Sequence, residues 1–214
     1  MPHDYAVTSS QLLVDAPILA LRRDTVTMPG GNDATREVVE HLGAVAVVAM
    51  DERGRIVLVE QYRHSVGRRL KELPAGILDV EDEPELDCAK RELREEAGLA
   101  ADTWGVLVDL VTSPGFAEEA VRVFMATGLS QVEQPEAEDE EADMSLEWVP
   151  LGEARDRVFA GEITNSIAVA GILAAHAVVS GEGAVRSTDE PFDLRPTSMA
   201  RRRQGRGDGD LKKV

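Results

Sequence analysis

Residues 76–99 read GILDVEDEPELDCAKRELREEAGL, and this stretch decides the fold. Pro84 suits the first turn of a helix, where its missing N–H has no partner to lose, and Gly98 suits a left-handed stop. Between them Leu86, Ala89, Leu93 and Ala97 recur at helical spacing and form one apolar stripe. At about 100° per residue, Glu96 falls about +40° and Glu95 about −60° from Glu92, while the apolar stripe lies between about +60° and +140°. One edge of the helix therefore packs into a core, and the neighbouring edge carries three carboxylates. Like charges spaced three or four apart destabilise a helix by roughly 0.3 kcal/mol a pair, so arginines or a divalent cation must offset the repulsion. Arg91 and Arg94 are at hand. Hard carboxylate oxygens select magnesium or manganese over zinc. Composition alone reads such a face as merely solvated, and the order of its residues has to argue otherwise.

Outward from the helix, the chain alternates strands and turns. Residues 17–28 and 35–41 read as strands around Gly30-Gly31-Asn32-Asp33. Residues 43–50 and 55–62 read as a hairpin across Asp51-Glu52-Arg53-Gly54. Residues 104–111 and 120–126 flank the Ser113-Pro114-Gly115 loop, residues 132–143 form an acidic loop, and residues 146–149 form a short strand. Two helices follow at 152–160 and 166–179, with Asn165 placed to cap the second. Hairpin-linked strands with helices grouped later indicate an α+β sandwich with a mixed sheet, in preference to a doubly wound parallel sheet.

The composition excludes several classes. The 214 residues carry a formal charge of −17, which repels nucleic acid and anionic lipid. The last sixteen residues hold six basic and two acidic side chains, so the rest of the chain stands at −21. This short, Gly-rich, basic end lacks apolar periodicity and reads as largely flexible. A single cysteine, Cys88, permits neither an internal disulfide nor a thiolate zinc cluster, and it reads as buried filler. No basic segment leads an apolar one at the N-terminus, and the apolar stretch at 167–179 is too short to span a bilayer. The expectation is a soluble cytoplasmic protein without nucleic-acid or membrane partners. Walker, dinucleotide-binding, His-Glu-x-x-His and Gly-x-Ser-x-Gly patterns are all missing from the sequence. An EF-hand starting at Asp79 fails because Pro84 and Lys90 stand where glycine and glutamate are needed. His64 and His176 read as structural polar residues.

The string Arg91-Glu92-Leu93-Arg94-Glu95-Glu96-Ala97-Gly98-Leu99 resembles the R-E-U-x-E-E-x-G-U core of the Nudix hydrolases, U being aliphatic. Glu83 lies eight residues before Arg91, as in that pattern. Six residues separate Gly76 from Glu83 where the pattern has five, which places one extra residue in the loop before the helix. Thr35-Arg36-Glu37-Val38-Val39, Glu60-Gln61-Tyr62-Arg63, Glu72-Leu73-Pro74-Ala75-Gly76, Ser113-Pro114-Gly115 and Asn165-Ser166 resemble landmarks of the ADP-ribose pyrophosphatase branch.

The resemblance implies a Nudix α/β/α sandwich at 42–180, a small N-terminal β region at 1–41 that is exchanged or packed across a homodimer and contacts substrate, and a tail at 181–214. It implies magnesium- or manganese-dependent hydrolysis of ADP-ribose to AMP and ribose 5-phosphate. Another nucleoside diphosphate derivative, such as a nucleotide sugar, and a non-catalytic ADP-ribose-binding module stand as alternatives. Carried over by position, Glu92, Glu95, Glu96 and the Ala75 carbonyl are metal ligands, and Arg36, Arg63, Glu72 and Gly115 bind substrate. Gly76, Glu83, Arg91 and Gly98 are structural parts of the motif. The general base falls in the acidic loop, at Glu141 with Glu140 next, where neighbouring carboxylates raise a base's pKa.

Overall fold

The computed structural model describes residues 3–135, 143–206 and 209–212. Ten strands and four helices run in the order β1 (Val7–Ala16), β2 (Leu19–Thr27), β3 (Asp33–His41), β4 (Ala44–Ala49), β5 (Arg55–Arg63), β6 (Arg68–Glu72), β7 (Ala75–Ile77), α1 (Glu85–Ala97), β8 (Leu99–Val111), β9 (Ala120–Gln131), β10 (Ser145–Pro150), α2 (Leu151–Phe159), α3 (Ser166–Val179) and α4 (Ser198–Arg203).

The centre is the mixed sheet β7-β4-β9-β8, in which β4 and β9 run parallel and the other pairs antiparallel. Every residue of β4 is buried, which is what an uninterrupted apolar run without alternation specifies. Its two faces serve different cores. Ala44, Ala46 and Val48 join Ala168, Ile172 and Ala175 of α3, while Val45, Val47 and Ala49 join Cys88, Ala89 and Leu93 of α1. Helices thus cover both faces of the sheet. A second sheet, β10-β5-β6, and an N-terminal meander, β1-β2-β3, complete the fold.

The hairpin expected from residues 43–62 is not one. Asp51 and Gly54 close the turn, with a single bridge from Met50 to Ile56, but β4 and β5 then diverge into different sheets. Both strands are apolar on both faces, so each is better satisfied between other layers than beside its neighbour in sequence. The strand β1 escapes a reading of apolar alternation because most of its residues are exposed.

The tail departs most from expectation. Against the expectation of a largely flexible end, several of its described residues pack on the body: Met199 and Leu211 are buried against Leu42, Phe192 joins the core around α1, and Arg203 is 2% exposed.

Candidate active site

Helix α1 forms where the sequence places it. Pro84 precedes its first residue, Glu85 and Asp87 stand in the first turn where the helix dipole favours negative charge, and Gly98 closes it at φ +63°. Cys88, Ala89, Leu93 and Ala97 are buried, and Glu92 is buried with them. Burial raises the Cys88 thiol well above its ordinary value, so it is no nucleophile.

Arg91 is the hub of the acidic edge. Its Nε and Nη2 donate to the two oxygens of Glu83 at 3.1 Å each, while Nη1 reaches Glu92 at 2.6 Å and Glu95 at 3.1 Å. Asp79, which sequence reasoning passed over, lies 3.5 Å from Nη2. Burial pushes the Glu92 carboxyl up to about 7, with Glu95 and Asp79 adding to the shift and Arg91 opposing it. The Glu96 carboxylate turns towards β7, accepting from the Ala75 amide at 2.9 Å.

Gly76 is required by close approach. A Cβ placed there would lie 2.0 Å from Cδ and 2.1 Å from Oε1 of Glu92. The short strand β7, held against β4 in the register Ala44–Ile77 to Ala46–Ala75, thus brings Ala75 and Gly76 onto the carboxylate edge.

Beside this edge lies a cleft of about 510 Å3, lined among others by Arg63, Glu72, Ala75, Gly76, His41 and Glu119. Arg63 donates through Nε at 3.0 Å and Nη2 at 2.7 Å to the two oxygens of Glu72, which is 3% exposed. This fork-to-carboxylate pair fixes the guanidinium plane at the mouth of the cleft. His41 and Glu119, 3.6 Å apart, were not singled out by sequence. Burial holds His41 below its ordinary pKa although Glu119 pulls the other way, so the ring is a neutral lining residue at pH 7.

One copy of the chain does not bring every expected residue here. Arg36 lies on β3, exposed, with Nη1 donating to the Thr35 carbonyl at 2.7 Å, and it does not line the cleft. Gly115 is exposed in a loop that Val39 fastens to β3 through the Phe116 carbonyl at 2.7 Å, and it does not line the cleft either. Strand β3 reaches the cleft only through its last residue, His41, and Arg36 lies further back along the strand. Glu140 and Glu141 fall outside the described residues.

The carboxylates of Glu92, Glu95 and Glu96 and the Ala75 carbonyl are all hard oxygens, a chemistry that would suit a magnesium-type cation. In the present rotamers the carboxylates face Arg91 and the Ala75 amide, and among the described residues no three His, Cys, Asp or Glu side chains converge on one point. Of the two histidines read as structural, His64 begins an exposed 3-10 turn and His176 bonds Arg155 at 2.9 Å.

Comparison with known proteins agrees with this geometry. Residues 40–166 match the NUDIX domain family, and residues 6–39 match the nucleoside diphosphate sugar hydrolase N-terminal domain. An ADP-ribose pyrophosphatase of Mycobacterium tuberculosis is 59% identical over 204 residues, covering 95% of this chain and 99% of that protein. An ADP-ribose pyrophosphatase of Bacillus subtilis is 37% identical, over 72% of this chain and 83% of its own. The crystal structure of an ADP compounds hydrolase superposes with a TM-score of 0.72 at 16% identity, covering 85% of this chain and 97% of that one, which is a likeness of fold. The glutamate helix, its sandwich and the match over more than half the sequence lead to one assignment: this chain belongs to the Nudix family.

Proposed function

We propose that the protein hydrolyses the pyrophosphate bond of ADP-ribose to AMP and ribose 5-phosphate with Mg2+, Mn2+ substituting, as a cytoplasmic homodimer. The observation that carries this reading is the juxtaposition of Glu92, Glu95 and Glu96 with the Ala75 strand at the edge of a cleft holding a paired arginine. The 59% identical ADP-ribose pyrophosphatase supplies the substrate class.

A pyrophosphate diester brings two negative charges to a chain of charge −17, and its approach needs positive charge at the carboxylate edge. Glu92, Glu95, Glu96 and the Ala75 carbonyl would hold the cation there; when bound, it supplies electrophilic activation of phosphorus and acidification of water. Arg91 orients the glutamates through its fork. Arg63, its plane set by Glu72, presents a flat, charged face to the substrate. Water attacks one phosphorus, the bridging P–O bond breaks, and the departing phosphate becomes the end of the second product. The proton leaving water passes to a loop carboxylate, which we assign to Glu141, with Glu140 the second choice. Arg36, on the N-terminal meander of a partner copy, and Gly115, in the loop bonded to that meander, would meet substrate. The exposed Val7, Leu12, Val14 and Ile18 give that meander an apolar surface to cover.

Product analysis with ADP-ribose, ADP-glucose, NAD and GDP-mannose, with and without Mg2+, tests the reading. Metal-dependent AMP and ribose 5-phosphate, fastest from ADP-ribose, is expected. Faster turnover of a nucleotide sugar would move the substrate, and no turnover with either metal would leave the binding-module reading.

A further inference from the structure

The C-terminal segment lies beyond both matched families, the further of which ends at residue 166, yet it reaches back to the loop that precedes the glutamate helix. Leu211 donates to the Asp79 carbonyl at 2.7 Å, Asp210 bridges Val80, and Glu81 donates to the Gly209 carbonyl at 2.7 Å. These bonds add a short antiparallel edge to the loop of residues 77–82, the one with an extra residue relative to the family pattern. Two cations of the segment complete the attachment. Lys212 Nζ stands 2.5 Å from Asp79 Oδ2. Arg195 Nη1 donates to the Glu83 carbonyl at 3.0 Å and to the Glu85 carboxylate at 2.9 Å, at the start of α1.

The other end of the segment is anchored firmly. The Arg203 guanidinium is buried and donates to the carbonyls of Ala16 and Pro17 at 2.7 Å each and of Leu211 at 2.9 Å, besides pairing with Asp15. Arg202 pairs with Glu40. Met199 and Leu211 close over Leu42. The segment therefore runs from the N-terminal meander to the helix start. The surplus of positive charge at this end of the sequence is in part spent on acidic groups of the body.

We infer that this segment is a strap that positions the metal-binding glutamates, with Arg195 and Lys212 as its positioning residues. Arg91 is shared between Glu83, Glu92, Glu95 and Asp79. Lys212 satisfies Asp79 and so leaves Arg91 to the glutamates; Arg195 fixes the backbone of Glu83, the other carboxylate that Arg91 grips. Removing either cation lets Arg91 move off Glu92 and blurs the site. The inference rests on the metal reading above.

The test is Mn2+ uptake by the full chain without substrate, followed by loss of the free-ion electron paramagnetic resonance signal. Lys212→Gln and Arg195→Gln are expected to weaken affinity about 10-fold, the scale of losing an outer-shell partner. Lys212→Arg and Arg195→Lys should restore most of it, with melting temperatures close to wild type. Loss of a cation near carboxylates by itself would tighten Mn2+ binding, so tighter or unchanged affinity in the Gln variants overturns the inference. A fall in melting temperature at unchanged affinity overturns it too, since the segment would then be only a brace. No uptake by the wild type defeats the metal reading together with this one; uptake that the variants match defeats this one alone.

Discussion

Gly76→Ala probes the closest approach in the site. The added methyl would sit 2.0 Å from Glu92 Cδ and 2.4 Å from Cγ, where carbon atoms settle at about 3.5–4.0 Å. An overlap of roughly 1.5 Å is beyond what neighbours absorb by small shifts, so Glu92 must leave its rotamer and its 2.6 Å bond to Arg91. Overpacking of this kind destabilises by about 1–3 kcal/mol, or about 2–12 °C in melting temperature for a chain of this size. The strain vanishes once the Glu92 side chain is gone. In a Glu92→Ala background Gly76→Ala should therefore be neutral, or stabilising by about 0.4–1 kcal/mol through a less flexible unfolded chain. Thermal melts of the wild type, both single variants and the double variant close the cycle, with a coupling of about 1–3 kcal/mol expected. An equal loss in both backgrounds would refute the reasoning, because the glycine would then serve something other than room for Glu92.

Other expectations follow from individual contacts. Burial raises the Asp109 pKa, but its bonds to Arg122 and Arg186 outweigh that and hold it below the ordinary carboxylate value, so its stabilisation is present above the unfolded-state pKa and is lost as pH falls through the folded one. Asp109→Asn should lower stability at pH 7 by about 3 kcal/mol, because Arg122, 1% exposed, keeps its charge without a carboxylate; its melting temperature should then fall less than that of the wild type on acidification below pH 4. Asn165 caps α3 by accepting from the amides of Ile167 and Ala168 at 3.0 Å each, and Asn165→Ala should cost about 1 kcal/mol in a denaturant titration. Glu141→Gln should lower kcat by about 100-fold or more while Mn2+ binding persists; the same loss from Glu140→Gln, with Glu141→Gln active, would move the base by one residue. Arg63→Lys breaks the two-pronged pair with Glu72 and should raise KM for ADP-ribose with little change in melting temperature, whereas an unchanged KM would remove Arg63 from the substrate contacts.

Legibility varied with how local the deciding physics was. Helix α1 could be read because Pro84 and Gly98 mark its ends around an apolar face, and helix α3 because Asn165 marks the start of an apolar run. The turn at Asp51–Gly54 was equally visible, but whether strands stay paired after a turn depends on what covers their outer faces, and β4 and β5 go to different sheets. The order of glutamates on α1 identified the family, since few folds repeat it. His41 had no such string around it, and Asp79, although inside the quoted stretch, is also held by Lys212 from the far end of the sequence. The tail misled for the same reason. Its anchors are single side chains, Met199, Arg203 and Leu211, whose partners lie more than a hundred residues away at Leu42, Asp15 and Asp79.

The measurement that bears most directly on the central claim compares initial rates of AMP release from ADP-ribose by the wild type and by Glu92→Gln, in saturating Mg2+ and after chelation, with a melting curve of each protein. Losing an outer-shell residue costs about 10–100-fold, so a ligand should cost no less. The expected result is release that stops on chelation in the wild type and falls by about 100-fold or more in a Glu92→Gln protein that still melts cooperatively. A folded Glu92→Gln protein that releases AMP at the wild-type rate, or a wild type indifferent to chelation, would contradict it.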